Sequence, residues 1–169
     1  MKKFTHLDEK GKATMVDVTA KENTLRQATA QGTVIMRPDT FERIMAGGME
    51  KGDVLGVAKV AGIMAAKHTA ELIPLCHPLN ITHVEITFNP IAGQHRIDIV
   101  AQVQVTGKTG VEMEALVAVT TAALTVYDMC KAVDREMVIS DIHLVEKRGG
   151  KSGHFVWGKK DAREGSRDQ

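Results

Sequence analysis

The stretch VEITFNPIAGQHRIDIVAQVQV, Val84–Val105, decides the fold. Val84, Ile86 and Phe88 alternate with polar residues, and after NPIAGQ so do Ile97, Ile99, Ala101, Val103 and Val105. A period of two puts apolar side chains on one face of a strand. Two such runs joined by a short turn predict an antiparallel hairpin with one buried face and one wet face. Upstream, Thr24–Arg37 (TLRQATAQGTVIMR) is rich in Thr, Val and Ile and reads as a strand despite Gly32. Pro38 opens a short helix, PDTFERIMAG, that stops at Gly47-Gly48. Asp53 caps a second helix running to about Leu72, with Val57, Val60, Ala61 and Met64 as its apolar stripe. Its other positions, Gly56, Gly62, Ala65 and Ala66, are small enough for close backbone packing, inside the fold or against another subunit. Pro74 ends that helix.

Downstream, TGKTG breaks the strand pattern, Val111 to about Val133 forms the longest helix, and Met137–Lys147 returns as a strand before RGGKSG. The order β-α-α-β-β-α-β predicts an α+β domain: a ferredoxin-like antiparallel sheet with helices packed on one face. The 169 residues are expected to form a single domain over 1–157, and the composition predicts a flexible start of about 14 residues and a disordered tail over 158–169.

Composition narrows the function classes. Lysines and arginines number 22 against 21 acidic residues, so no global field draws in nucleic acid or an anionic membrane, and any anion site must be local. No apolar run approaches the roughly 20 residues of a membrane span, and the opening lysines, with no hydrophobic segment behind them, do not read as a signal peptide. The two cysteines suggest no oxidising compartment, which makes a reduced cytoplasmic location the expectation.

Several short motifs carry chemistry. TGKTG and RGGKSG invite a phosphate-loop reading, but that motif needs a glycine five residues before the GK glycine. Gln102 and Val145 stand there instead. What survives is weaker: glycine turns expose N–H groups, and a neighbouring lysine can meet an anion. Glu112, Met113 and Glu114 open the long helix, where carboxylates either complement the helix dipole or accept hydrogen bonds from the amide and amine edge of a purine or pterin. Asp128 and Lys131, three residues apart, share one helix face and form either a surface ion pair or an acid–base pair. Glu114 and Asp128 share a face too, but about four turns and roughly 21 Å apart, too far for a small substrate to touch both in one subunit. Lys51, Lys67, Lys147 and Lys151 suit a polyphosphate if they converge. In LIPLCHPL, Cys76 and His77 have no metal spacing, and adjacent side chains of an extended segment point apart, against a nucleophile–base dyad. Two prolines make the segment a rigid wall that aims His77 at a ligand.

Taken together, KGDV, AGIMAAK, LIPLCHPL, TGKTGVEMEAL, YDMCKAV and GGKSG, in this order and spacing from about Met15 to Gly153, resemble the molybdenum cofactor biosynthesis protein C family, the cyclic pyranopterin monophosphate synthases. The resemblance implies a ferredoxin-like subunit in a hexamer built as a trimer of dimers, with sites at subunit interfaces. It implies a lyase that converts a cyclised GTP derivative to cyclic pyranopterin monophosphate and releases pyrophosphate, with no cofactor and no metal. It makes Asp128 the acid–base residue, with Lys131 and Lys51 in support. It places Leu75, Cys76, His77, Met113 and Glu114 around the substrate, with Glu112, Lys67, Lys147 and Lys151 as neighbours. A different class, an oligomeric module that binds a nucleotide without turning it over, would use many of the same residues.

Overall fold

In the computed structural model, which describes residues 11–151 and 153–159, Thr24–Ile35 forms the strand (β1) around which the sheet is built. The chain then runs through α1 (Pro38–Met45), α2 (Val54–Lys67), α3 (Thr69–Leu72), β2 (His83–Ile91), β3 (Arg96–Gly107), α4 (Glu112–Cys130), β4 (Val138–Arg148) and β5 (Phe155–Val156). The sheet order is β2-β3-β1-β4-β5, antiparallel throughout, and its first four strands have the order of a ferredoxin-like β-α-β-β-α-β unit. β5 is an addition of two residues, too short to leave a periodic signal. The hairpin forms as its alternation predicts. Ile97, Ile99, Ala101, Val103 and Val105 are fully or almost fully buried, and Ile86 faces the same core from β2.

Three boundaries are shorter than the sequence suggests. β1 stops at Ile35 because Met36 N–H turns to the carbonyl of His95 and Pro38 starts α1. The expected helix to Leu72 breaks at His68, where φ −109° and ψ 15° separate α2 from α3. α4 ends at Cys130, because the N–H groups of Val133 and Asp134 both fold back onto the Cys130 carbonyl.

The apolar stripe expected on α2 is on the wrong face. Val57, Val60 and Met64 are exposed at 47%, 61% and 47%, while Val54, Ala58, Gly62, Ala65 and Ala66 are buried. The reason is the closeness of α4. A Cβ on Gly62 would lie 2.8 Å from the Ala118 carbonyl and 2.4 Å from Ile86 Cδ1. Only small residues fit between two backbones at that separation. α4 answers in kind with Ala115, Ala118, Ala122 and Ala123, all fully buried. So the small positions serve packing inside the fold. Gly56 is the exception: it sits over the Asp53 carboxylate, which caps α2 by accepting from Gly56 N–H at 2.9 Å. By length and composition α4 is apolar enough to cross a membrane, but its apolar character is that of the helix packed on β1, β3 and β4 at the centre of the core.

Candidate functional site

The sheet order brings the two glycine turns together. β3 and β4 both pair with β1, and they run in the same direction, so their C-terminal ends finish at the same edge: Gly107 lies opposite Thr24 and Arg148 opposite Gln27. TGKTG and RGGKSG therefore leave the sheet on either side of the start of β1. Arg26 stands between them, donating from Nε to the Gly107 carbonyl (3.3 Å) and from Nη2 to the Lys108 carbonyl (3.5 Å). Gly149 and Gly150 have φ of 92° and 78°, and a Cβ on either would strike Leu25 O or Arg26 Nη1. Glycine is required at both. Around this junction is a cavity of about 860 Å³ lined by Lys21, Arg26, Lys108, Lys147, Arg148 and Lys151, with Glu22 and Glu112 as the carboxylates in its wall. Lys147 pairs with Glu112 at 3.3 Å, which offsets the repulsion that carboxylate would exert on an anion. Of the four lysines that would suit a polyphosphate if they converged, Lys147 and Lys151 line this cavity and Lys51 and Lys67 do not. Lys108 is the lysine of TGKTG, whereas Lys21, Arg26 and Arg148 carry no motif and are brought here by the fold.

A second cavity, about 410 Å³, shares Lys21, Thr109, Gly110 and Glu112 with the first and continues to Leu75, Cys76, His77, Met113 and Glu114. The proline-flanked wall and the opening turn of α4 therefore face each other. Val16 and Val18 close the cavity on a third side, where His77 Nε2 meets the Val16 carbonyl at 2.8 Å and Lys108 Nζ donates to the Thr19 carbonyl at 2.7 Å. A third cavity, about 350 Å³, lies on the other side of His77 and Glu114 and includes Lys67. Cys76 is a free, half-buried thiol. Burial, and secondarily the Glu114 carboxylate, push its pKa up, so it is held as a thiol and lacks the thiolate character of a nucleophile.

Glu114 is only 4% exposed, although it lines two cavities. Burial pushes its carboxyl up to about 7, with Glu112 adding to the rise and its own backbone N–H opposing it. It can therefore hold or release a proton near neutrality. The linkage sign follows: a raised folded pKa favours folding when the group is protonated. The stability it leaves intact below pH 4.5 is lost as pH rises to about 7. Glu114→Gln removes that loss. Urea midpoints should show the variant more stable than wild type by about 2–3 kcal/mol above pH 7, after allowance for water in the cavities, and equal to it near the unfolded carboxyl pKa. A pH course identical in the two proteins would show that Glu114 ionises without cost.

Asp128, Lys131 and Lys51 gather elsewhere. Lys131 Nζ lies 2.5 Å from Asp128 Oδ1, and Lys51 Nζ lies 3.3 Å from Oδ2 and 3.0 Å from the Asp128 carbonyl. The hydrogen bond from Lys131, then that from Lys51, hold the Asp128 carboxyl below the usual range. The cluster is exposed, with Asp128 at 58%, and none of the three cavities includes it. The structure thus puts nine of the twelve residues singled out from the sequence on the walls of three adjoining cavities and leaves the other three at the far end of α4.

Known proteins resemble this chain over nearly its whole length. The sequence profile described as the MoaC family matches residues 15–150. A protein of Pelotomaculum thermopropionicum named cyclic pyranopterin monophosphate synthase is 61% identical over 155 residues, covering 92% of this chain and 91% of its own. Proteins of the same name from Desulfitobacterium hafniense and Clostridium acetobutylicum are 62% and 59% identical, covering 90% of this chain and 93% and 94% of their own.

Proposed function

The chain belongs to the MoaC family, and on that premise we propose that it is a cyclic pyranopterin monophosphate synthase of molybdenum cofactor biosynthesis. It is a lyase that takes cyclo-dihydro-GTP to cyclic pyranopterin monophosphate and releases pyrophosphate. The observation that supports this most directly is the pairing of cavities: a cation-rich cavity adjoins one with a protonatable carboxylate and a histidine. A triphosphate fits the first and a guanine-derived ring the second, where Glu114 and Glu112 accept from its amide and amine groups while His77 makes a polar contact and Leu75, Cys76 and Met113 give it an apolar bed. Opening and reclosing rings moves protons but no electrons. That suits an ionised Asp128 as base with Lys131 and Lys51 as ammonium donors.

The distance between Glu114 and Asp128 along α4, roughly 21 Å, supports sites that combine two chains in a hexamer built as a trimer of dimers. So do the exposed apolar side chains of Val57, Val60, Met64, Leu72 and Leu124, which an assembly would cover. The expected compartment is the cytoplasm. Incubating the protein with cyclo-dihydro-GTP should yield the pterin and stoichiometric pyrophosphate. Recovering the nucleotide bound but unchanged would instead identify a sensor that binds without turnover.

A further inference from the structure

Asp134 is 1% exposed and takes no part in the reaction proposed above. Its Oδ2 accepts from Arg37 N–H at 2.9 Å and its Oδ1 from Glu136 N–H at 3.0 Å. Arg37 Nε lies 3.8 Å from Oδ1, and the same guanidinium donates to the Val133 carbonyl. Burial opposes the charge, but the two N–H groups and the Arg37 guanidinium together hold the carboxyl below its usual range. The chain enters α1 with no side-chain cap of its own at Arg37, so this carboxylate is what fixes the entry.

Two segments meet at Asp134, and each carries one of the lysines that face Asp128. The Lys131–Asp134 turn closes on the end of α4, with Lys131 N–H to Tyr127 O at 2.8 Å and Asp134 N–H to Cys130 O at 3.0 Å. Lys131 rides on that turn. On the other side, α1 leads into the loop that ends at the α2 cap Asp53 and brings Lys51 to Asp128. α1 has only sparse backbone proximity to the other helices and strands, and is held by the buried side chains of Thr40, Phe41 and Ile44 and by this carboxylate. We propose that Asp134 is a positioning residue: by tying the entry of α1 to the turn that ends α4, it sets Lys51 and Lys131 against Asp128. The inference rests on the proposed function for its effect on turnover, but not for its effect on the cluster's geometry.

Asp134→Asn keeps the shape and removes the charge that gathers these donors. The readouts, in the full chain well below its Tm, are the 13C-carboxyl titration of Asp128 and steady-state kinetics with cyclo-dihydro-GTP. The Asp128 carboxyl should titrate higher than in wild type as Lys131 and Lys51 move away. Its kcat should fall about 10- to 100-fold while KM and inhibition by pyrophosphate stay within about two-fold. Arg37→Ala removes only a half-exposed guanidinium and should shift both readouts the same way by less, which keeps the test alive if Asp134→Asn does not fold. A lower Tm with an unmoved Asp128 titration would overturn the proposal, since a purely structural role predicts that result. If Asp128→Asn retains normal turnover, the catalytic reading of the cluster fails, yet the Asp128 titration still decides whether Asp134 positions it.

Discussion

Replacing Asp128 with asparagine is expected to lower kcat by about 10²- to 10⁴-fold and to leave folding and assembly unchanged. Stability is spared because the carboxylate is more than half exposed, and an ion pair in water contributes little. Turnover is lost because asparagine cannot take a proton. Lys131 and Lys51 hold the wild-type carboxyl below the usual range. Activity should therefore persist as pH falls through that range and fail only below it. The residual rate of the variant should lack this acid limb. A mutant of normal activity would remove Asp128 from the chemistry.

The same variant tests the shared site. Mixed and reassembled with Glu114→Gln, which is expected to be inactive because it lacks the carboxylate that accepts from the ring, it should recover activity at about one site in four, those that draw Glu114 from one chain and Asp128 from the other. A site made within one chain recovers none, because every subunit then carries one defect or the other.

How legible all this was in the sequence depended on the range of the interaction. Strand alternation in Val84–Val105 reports local burial, so the hairpin and its buried face were readable before the structure. The Asp53 cap is equally local, three residues from its donor. α2 shows the opposite case. Hydrophobic size pointed to Val57, Val60 and Met64, but separation between backbones decided the face, and Gly62 marks the contact better than any valine does. At the site, LIPLCHPL and the opening of α4 could be chosen by residue type. The burial that raises Glu114 to about 7 depends on segments of the chain remote in sequence. Arg26 had no signal at all, being one arginine in a strand until β3 and β4 bring a glycine turn to each side of it. The expectations of a flexible start and a disordered tail fall largely on residues outside those described.

Arg26→Ala should have the second largest effect, and on a different parameter. KM for cyclo-dihydro-GTP and the inhibition constant of pyrophosphate should each rise about 10- to 100-fold, the weight of one or two charge-assisted hydrogen bonds, with a smaller change in kcat. The guanidinium does two things there. It joins the carbonyls of Gly107 and Lys108 to β1, and it presents charge beside Lys147 and Lys151 where a polyphosphate would lie. Arg26→Lys separates them: a lysine keeps the charge but cannot span both carbonyls, so partial recovery measures the charge alone. Gly150→Ala should reproduce the binding defect with every cation intact, because a Cβ there lies 1.5 Å from Arg26 Nη1 at a backbone φ of 78°. Rising ionic strength should weaken the wild type in the same direction, since Lys21, Arg148 and Lys151 in the same wall are open to solvent. If kcat fell while KM and pyrophosphate inhibition held, the cavity would not be the phosphate site. The leaving group would then depart from somewhere else, and the cations that stabilise it would have to come from the Asp128 end of a neighbouring chain, where Lys51 and Lys131 are the ones on hand.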